Sequence, residues 1–177
     1  MATSSDSTPS SGGRELVITR VVNAPHELVW KAFTESDALA HWWGPAGYTM
    51  LVRTLDLHPG GIFHYSMRSP DGVVLWGKFV FRDIVAPKRI AFVSSFSDAE
   101  GHITRAPFSP TWPLEILNTV ILIEAGSKTA VTLRGGPINA TTEELETFWR
   151  AQELVQQGFA GTFDQLAAYL AEEINGE

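Results

Sequence analysis

The sequence predicts an α+β protein: a curved antiparallel sheet of about six to seven strands around a long C-terminal helix, with two short helices after the first strand. Three observations predict it. From Tyr48 to Leu133, β-branched and aromatic runs succeed one another with turn signals between most of them, the pattern of antiparallel neighbours. Near the end, Leu145, Phe148, Val155, Phe159, Phe163, Leu166 and Leu170 form an apolar stripe at helical spacing. Between the first strand and the rest lie two short helical stretches closed by Gly44-Pro45. A sheet of this size curls, one amphipathic helix covers its concave face, and a cavity is expected where the sheet bends away from that helix.

Taken in order, Glu15 to Val22 is β-branched and ends at Asn23-Ala24-Pro25, a strand followed by a break. Pro25 suits a first helical position, with Glu27 in the acidic first turn and Leu28, Val29, Ala32 and Phe33 on one face. Ser36 is expected to cap a second short helix carrying Leu39, Trp42 and Trp43. Strands are then expected over 48–57, 62–67, 73–84, 89–96, 114–124 and 129–133. His58-Pro59-Gly60-Gly61, Ser69-Pro70-Asp71-Gly72 and Gly126-Ser127 mark turns, and Gly135-Gly136-Pro137 reads as a turn from strand to helix. Residues 97–112, with Pro107 and Pro110, form the longest irregular stretch. Thr141 and Glu144 make a capping box for a single closing helix. The sequon Asn139-Ala140-Thr141 overlaps that box, and capping is its expected use.

Composition limits the function. The chain has 177 residues, a net charge of −7 and no cysteine. One domain over 14–173 is expected, between a flexible tail at 1–13 and a short C-terminal tail at 174–177. Without a basic stripe, nucleic acid is not an expected partner. Thiol chemistry is excluded, and no apolar stretch has the length of a bilayer span or a signal peptide. A cytoplasmic protein is expected, without membrane insertion; a homodimer is compatible with the sequence.

The search for chemistry returns little. There is no H-E-x-x-H, no G-x-S-x-G, no P-loop and no G-x-G-x-x-G, so neither a metal nor a cofactor is expected. Catalytic residues stay unknown, with His41 and Glu115 as weak candidates. His41 could transfer a proton near neutral pH, or simply be exposed on its helix. Glu115 and Asn118 interrupt an apolar run; facing inward they would put a polar group into an apolar pocket, and edge solvation is the simpler reading. His64 should face away from Phe63 and Tyr65, and Asp56 should bond its turn. The aromatic content exceeds a minimal core. A ligand cavity lined by Trp42, Trp43, Tyr48, Phe63, Tyr65, Met67, Trp76, Phe79, Trp149, Gln152, Phe159 and Phe163 is therefore expected. Within it Gln152 could orient a ligand or bond a neighbouring strand. Of the adjacent pair Trp42 and Trp43, one indole should be core and the other should border the entrance.

The segments "VNAPHELVWKAFTESDALAHWWGPAGYT", "LDLHPGGIFHYSMRSPDG", "LWGKFVFRDIVAPKRIAF" and "GFAGTFDQLAAYLAEE" resemble the Hsp90-ATPase-activator-homologue-like family. That family lies within the START-like (SRPBCC, Bet v 1-like, polyketide cyclase-like) superfamily. The resemblance spans roughly residues 15 to 173 and implies a helix-grip fold with an internal cavity. Phe159 stands where many relatives carry tryptophan, and the segment around 97–112 looks particular to this chain. Binding of a small hydrophobic or aromatic ligand is the function expected. The superfamily resemblance also permits a cyclase- or aromatase-like enzyme, and the family name a chaperone-partner or stress-response module.

Overall fold

The computed structural model describes residues 14–176; the tail expected over 1–13 lies outside them. Strand β1 (Leu16–Val22) leads into α1 (His26–Thr34) and α2 (Ser36–Trp42). Six strands follow: β2 (Thr49–Leu55), β3 (Ile62–Arg68), β4 (Val74–Val85), β5 (Arg89–Ser97), β6 (Ile116–Ala125) and β7 (Lys128–Pro137). Helices α3 (Thr142–Arg150) and α4 (Gln152–Asn175) close the chain. The strands form one antiparallel sheet in the order β1-β7-β6-β5-β4-β3-β2. Each strand after β2 pairs with its predecessor, and β1 closes the far edge on β7. The helix-grip architecture is present.

Register decides what faces inward. Opposite residues share a face. The pairs Phe63–Phe79, Phe79–Ser94, Ser94–Ile116 and Asn118–Gly135 therefore lie on the same side as Phe92, Val120, Leu133 and Leu16. Helix α4 lays Phe163, Leu166 and Leu170, all buried, against this concave face. The main core gathers them with Val29, Leu39, Trp42, Phe81 and Val131.

Four local expectations need correction. The closing helix is two helices: Ala151 leaves helical geometry (φ −93°, ψ 7°). Phe148 and Trp149 are both buried just before it. Gly135-Gly136-Pro137 is not a turn but the end of β7; a Cβ at Gly135 would lie 1.9 Å from the Leu117 carbonyl oxygen, so the ladder closes there only around glycine. Ser36 is the first residue of α2 rather than its cap; Glu35 precedes it without a side-chain cap bond. Pro25 likewise sits one place outside α1. The capping box does form: Glu144 N–H donates to Thr141 Oγ1 (3.1 Å), and Thr141 N–H donates to Glu144 Oε1 (2.8 Å).

The corner after α2 is fixed from the far side of the molecule. Gly44 has φ +102°, a conformation that suits glycine, and its carbonyl accepts from Thr162 Oγ1 (3.3 Å) and Gln165 Nε2 of α4. A Cβ there would also meet Met67 Sδ at 2.7 Å. Gly44→Ala should cost about 1–2 kcal/mol, the size of left-handed strain. It should appear as a lower urea midpoint with an unchanged slope when unfolding is followed by tryptophan fluorescence.

Candidate ligand-binding cavity

The adjacent indoles divide as their positions require. Trp42 is 1% exposed; its Nε1–H donates to the Ala32 carbonyl (2.8 Å) and its ring meets Phe33 edge-on at 4.8 Å. That satisfies the one polar atom of a core indole. Trp43, half-buried, lies across Trp42 at 5.5 Å and against Phe79 at 5.3 Å and Phe159 at 6.2 Å. It belongs to a cavity wall.

Two lobes of empty space lie along the inner face. The first, about 150 Å³, is lined by Trp43, Tyr65, Met67, Trp76, Gly77, Phe79, Ser94, Ser95, Phe96, Trp112, Pro113 and Ile116. The second, about 200 Å³, is lined by Leu16, Ser94, Phe96, Trp112, Ile116, Asn118, Leu133, Gly135, Phe148, Val155 and Phe159. Ser94, Phe96, Trp112 and Ile116 are common to both. An apolar cavity of roughly 150 Å³ holds a benzene molecule, so each lobe has room for a ring. Towards α1 and α2 the space closes to about 10 Å³ among Phe33, Leu39, Phe63, Phe81 and their neighbours. The hollow thus lies between the sheet and the first turns of α4, at the end away from α1 and α2.

Polar atoms are few. Tyr65 lies over Gly77, where a Cβ would come within 2.7 Å of the phenol. Burial pushes that phenol up to about 12, with the Trp43 side chain partly opposing the shift through hydrogen bonding. It stays protonated at neutral pH. Deeper in, Asn118 Nδ2 donates to Ser94 Oγ (3.0 Å) and to the Ile116 carbonyl (3.1 Å). None of the residues lining either lobe carries a formal charge at neutral pH.

The irregular segment between β5 and β6 is a cover. Trp112 packs on Phe148 of α3 at 5.4 Å, and Phe108, 64% exposed, stands edge-on to Phe96 (5.6 Å) and Trp112 (5.3 Å). Polar bonds fasten it. Arg105 pairs with Glu144 and donates to the Trp112 carbonyl (3.2 Å), while the hydroxyls of Thr111 and Thr147 meet at 2.8 Å. The Glu144 carboxyl is held below the usual carboxylate range, first by the Thr141 N–H and next by Arg105.

Of the residues expected to line a cavity, Trp43, Tyr65, Met67, Trp76, Phe79 and Phe159 border the two lobes. Trp42 and Phe163 are core, and Phe63 borders only the small void. Tyr48 is half-buried after Gly47, away from the lobes. Trp149 packs with Leu16 and Phe148 under the Arg14 guanidinium, 4.3 Å from its ring, and Gln152 accepts from Arg14 (3.4 Å); neither lines a lobe. His41 is exposed, stacked on Tyr169 at 5.6 Å, with Nδ1 2.6 Å from the Asp37 carbonyl. Glu115 accepts from Asn139 Nδ2 (3.3 Å), also outside the lobes. Edge solvation holds for Glu115 but not for Asn118, which is buried on the inner face.

His64 does face outward. It is nonetheless buried, stacked on Trp76 at 5.0 Å with Nε2 3.1 Å from the Asp98 carbonyl. Asp56 bonds its turn as expected: its Oδ2 meets His58 Nε2 (2.9 Å) and its carbonyl accepts from the His58 N–H (3.1 Å). Asp98, Glu100 and His102 bring potential ligand atoms within 4.8 Å of one another, which no sequence motif announced. The Asp98 carboxylate there accepts from the N–H groups of Glu100 and His102 (3.0 and 2.9 Å), bonds that close the turn. Lining residues outside the expected set include Leu16, Ser94, Phe96, Trp112, Ile116, Leu133, Phe148 and Val155, and Asn118, for which an inward position was the less favoured reading, joins them. Alternation was the available signal for those on strands; the cover gave none.

Residues 23–171 match the family model described as "Activator of Hsp90 ATPase homolog 1-like protein", and the chain belongs to that family. Its fold is similar to a crystal structure of a protein from Mycobacterium smegmatis (25% identity, TM-score 0.72), covering 88% of this chain and 90% of that one. A solution structure from Arthrobacter aurescens shares 23% identity with a TM-score of 0.78, over 92% and 88% of the two chains. The AHSA1 protein from Silicibacter pomeroyi shares 18% with a TM-score of 0.66, over 90% and 99%. No curated protein matches the sequence. Among the described residues no helix is long and apolar enough to cross a membrane.

The fastening of the cover should depend on pH. A carboxyl lowered in the folded state stabilises above its unfolded value and loses that contribution as pH falls through the folded one. Acidification below about pH 4 should therefore weaken the Glu144 contacts. Glu144→Gln keeps an acceptor for Thr141 but removes the charge. It should lower Tm at pH 7 by about 2–4 °C, and the gap between wild type and variant should narrow by pH 3 in a calorimetric series.

Proposed function

We propose that the protein binds a small hydrophobic or aromatic molecule inside the sheet. The observation that carries this reading is the pair of adjoining lobes, about 150 and 200 Å³, walled by aromatic rings and free of formal charge. Protein interiors pack with few voids larger than a water molecule, whereas ligand sites are concave and mainly apolar with a few polar groups. Membership of the family supports the same reading. A cytoplasmic setting is part of the proposal.

The enzymatic alternative has less support. Acid–base catalysis at neutral pH wants a group that titrates near it and reaches the substrate. Tyr65 is held far above that range, and His41 and Glu115 lie outside the lobes. For a chaperone-partner role the support is the family name alone.

The test is a thermal-shift and calorimetric screen with single-ring and two-ring aromatic compounds against wild type and Ile116→Phe. Ile116 borders both lobes, so the larger ring should occupy their shared space. Micromolar binding with a raised Tm is expected for wild type, with at least a tenfold loss in the variant. Binding undiminished in a folded Ile116→Phe would place the ligand elsewhere, and no binding at all would end the reading.

A further inference from the structure

The second lobe has one polar side chain whose hydrogen-bonding capacity is half spent. Asn118 is 7% exposed. Its Nδ2 reaches both Ser94 Oγ (3.0 Å) and the Ile116 carbonyl (3.1 Å). A carbonyl oxygen accepts only, so the amide atom facing it must be the nitrogen, and this fixes which way the side chain points. Ser94 Oγ is 3.4 Å from the same carbonyl and directs its own proton there, leaving its lone pairs for the amide. Both amide protons are thereby committed. No described group donates to Asn118 Oδ1. Across the ladder the partner of Asn118 is Gly135, which has no side chain to occupy the space beside the amide. Leu16, Leu133, Val155 and Phe159 form apolar walls of the same lobe.

The oxygen is not sealed off, since among the described residues the buried side-chain polar atom without a partner is Trp149 Nε1. An apolar guest that displaces water from Oδ1 leaves it unpaired at a cost, and a guest that supplies a donor avoids that cost. We propose that Asn118 Oδ1 is a specificity-determining acceptor: the lobe selects a neutral, largely apolar ring molecule that carries one hydroxyl or N–H donor. It discriminates against the same skeleton bearing a methyl group or an acceptor without a proton. A carboxylate is rejected twice, because its oxygens meet another acceptor and no lining residue supplies a positive charge. This deepens the ligand-binding reading and rests on it.

The probes are 4-ethylphenol, 4-ethyltoluene, in which methyl replaces hydroxyl, and 4-ethylanisole, which keeps the oxygen and loses its proton. Dissociation constants come from NMR titration of wild type and Asn118→Leu. For wild type, 4-ethylphenol should bind about tenfold tighter than either analogue, the value of one buried hydrogen bond. In Asn118→Leu that preference should vanish while 4-ethyltoluene still binds. Equal binding of the three compounds by wild type, or a preference that survives in the variant, overturns the role of Asn118 and leaves the cavity reading standing. Failure of all three to bind wild type overturns both. The three-compound comparison in wild type alone keeps the inference testable if Asn118→Leu does not fold.

Discussion

One geometric constraint underlies the rest: the concave face of a seven-stranded sheet is wider than one helix can cover. Helix α4 has a single buried edge of Phe163, Leu166 and Leu170, and it is held near α2 by bonds from Thr162 and Gln165 to the Gly44 carbonyl. Beyond that edge, Phe148, Val155 and Phe159 face the inner positions of β5, β6 and β7 across a gap they do not fill. Filling the gap would take large side chains there. The chain instead has Ser94, Asn118 and Gly135 at those positions, and the deficit in volume becomes the cavity.

Much of this architecture was legible because it is periodic. Alternation in "IFHYSM" put Phe63 and Tyr65 on one side and His64 on the other, and the ladder bears that out. The capping box at Thr141 was a local signal with a local cause, and it formed. The misreadings share another character. Gly135-Gly136 looks like a turn unless one knows that the Leu117 carbonyl crowds position 135 from the neighbouring strand. The break at Ala151 has no proline or glycine to announce it, and the apolar stripe runs across it from Phe148 to Val155.

The cavity was legible in kind more than in detail. Aromatic excess pointed to β3, β4 and α4, whereas the buried amide of Asn118 sits on β6. Whether Asn118 faced in or out hung on strand register, which one residue of slippage inverts. Phe96 faces in by alternation with Ser94 on β5, but Trp112 enters the wall because a proline-containing segment folds back over the sheet, and no periodicity describes such a segment.

The interruption at Ala151 separates two duties along the final third of the chain. Helix α4 is anchored at the corner after α2, while α3 is bonded to the segment over the lobes through Glu144, Thr147 and Phe148. For the guest proposed above, strands and α4 supply most of the wall it would touch, whereas the segment over the lobes is fastened through α3. Most of the wall and its fastening are thus written into different stretches of polypeptide, so substitutions can alter one and leave the other in place.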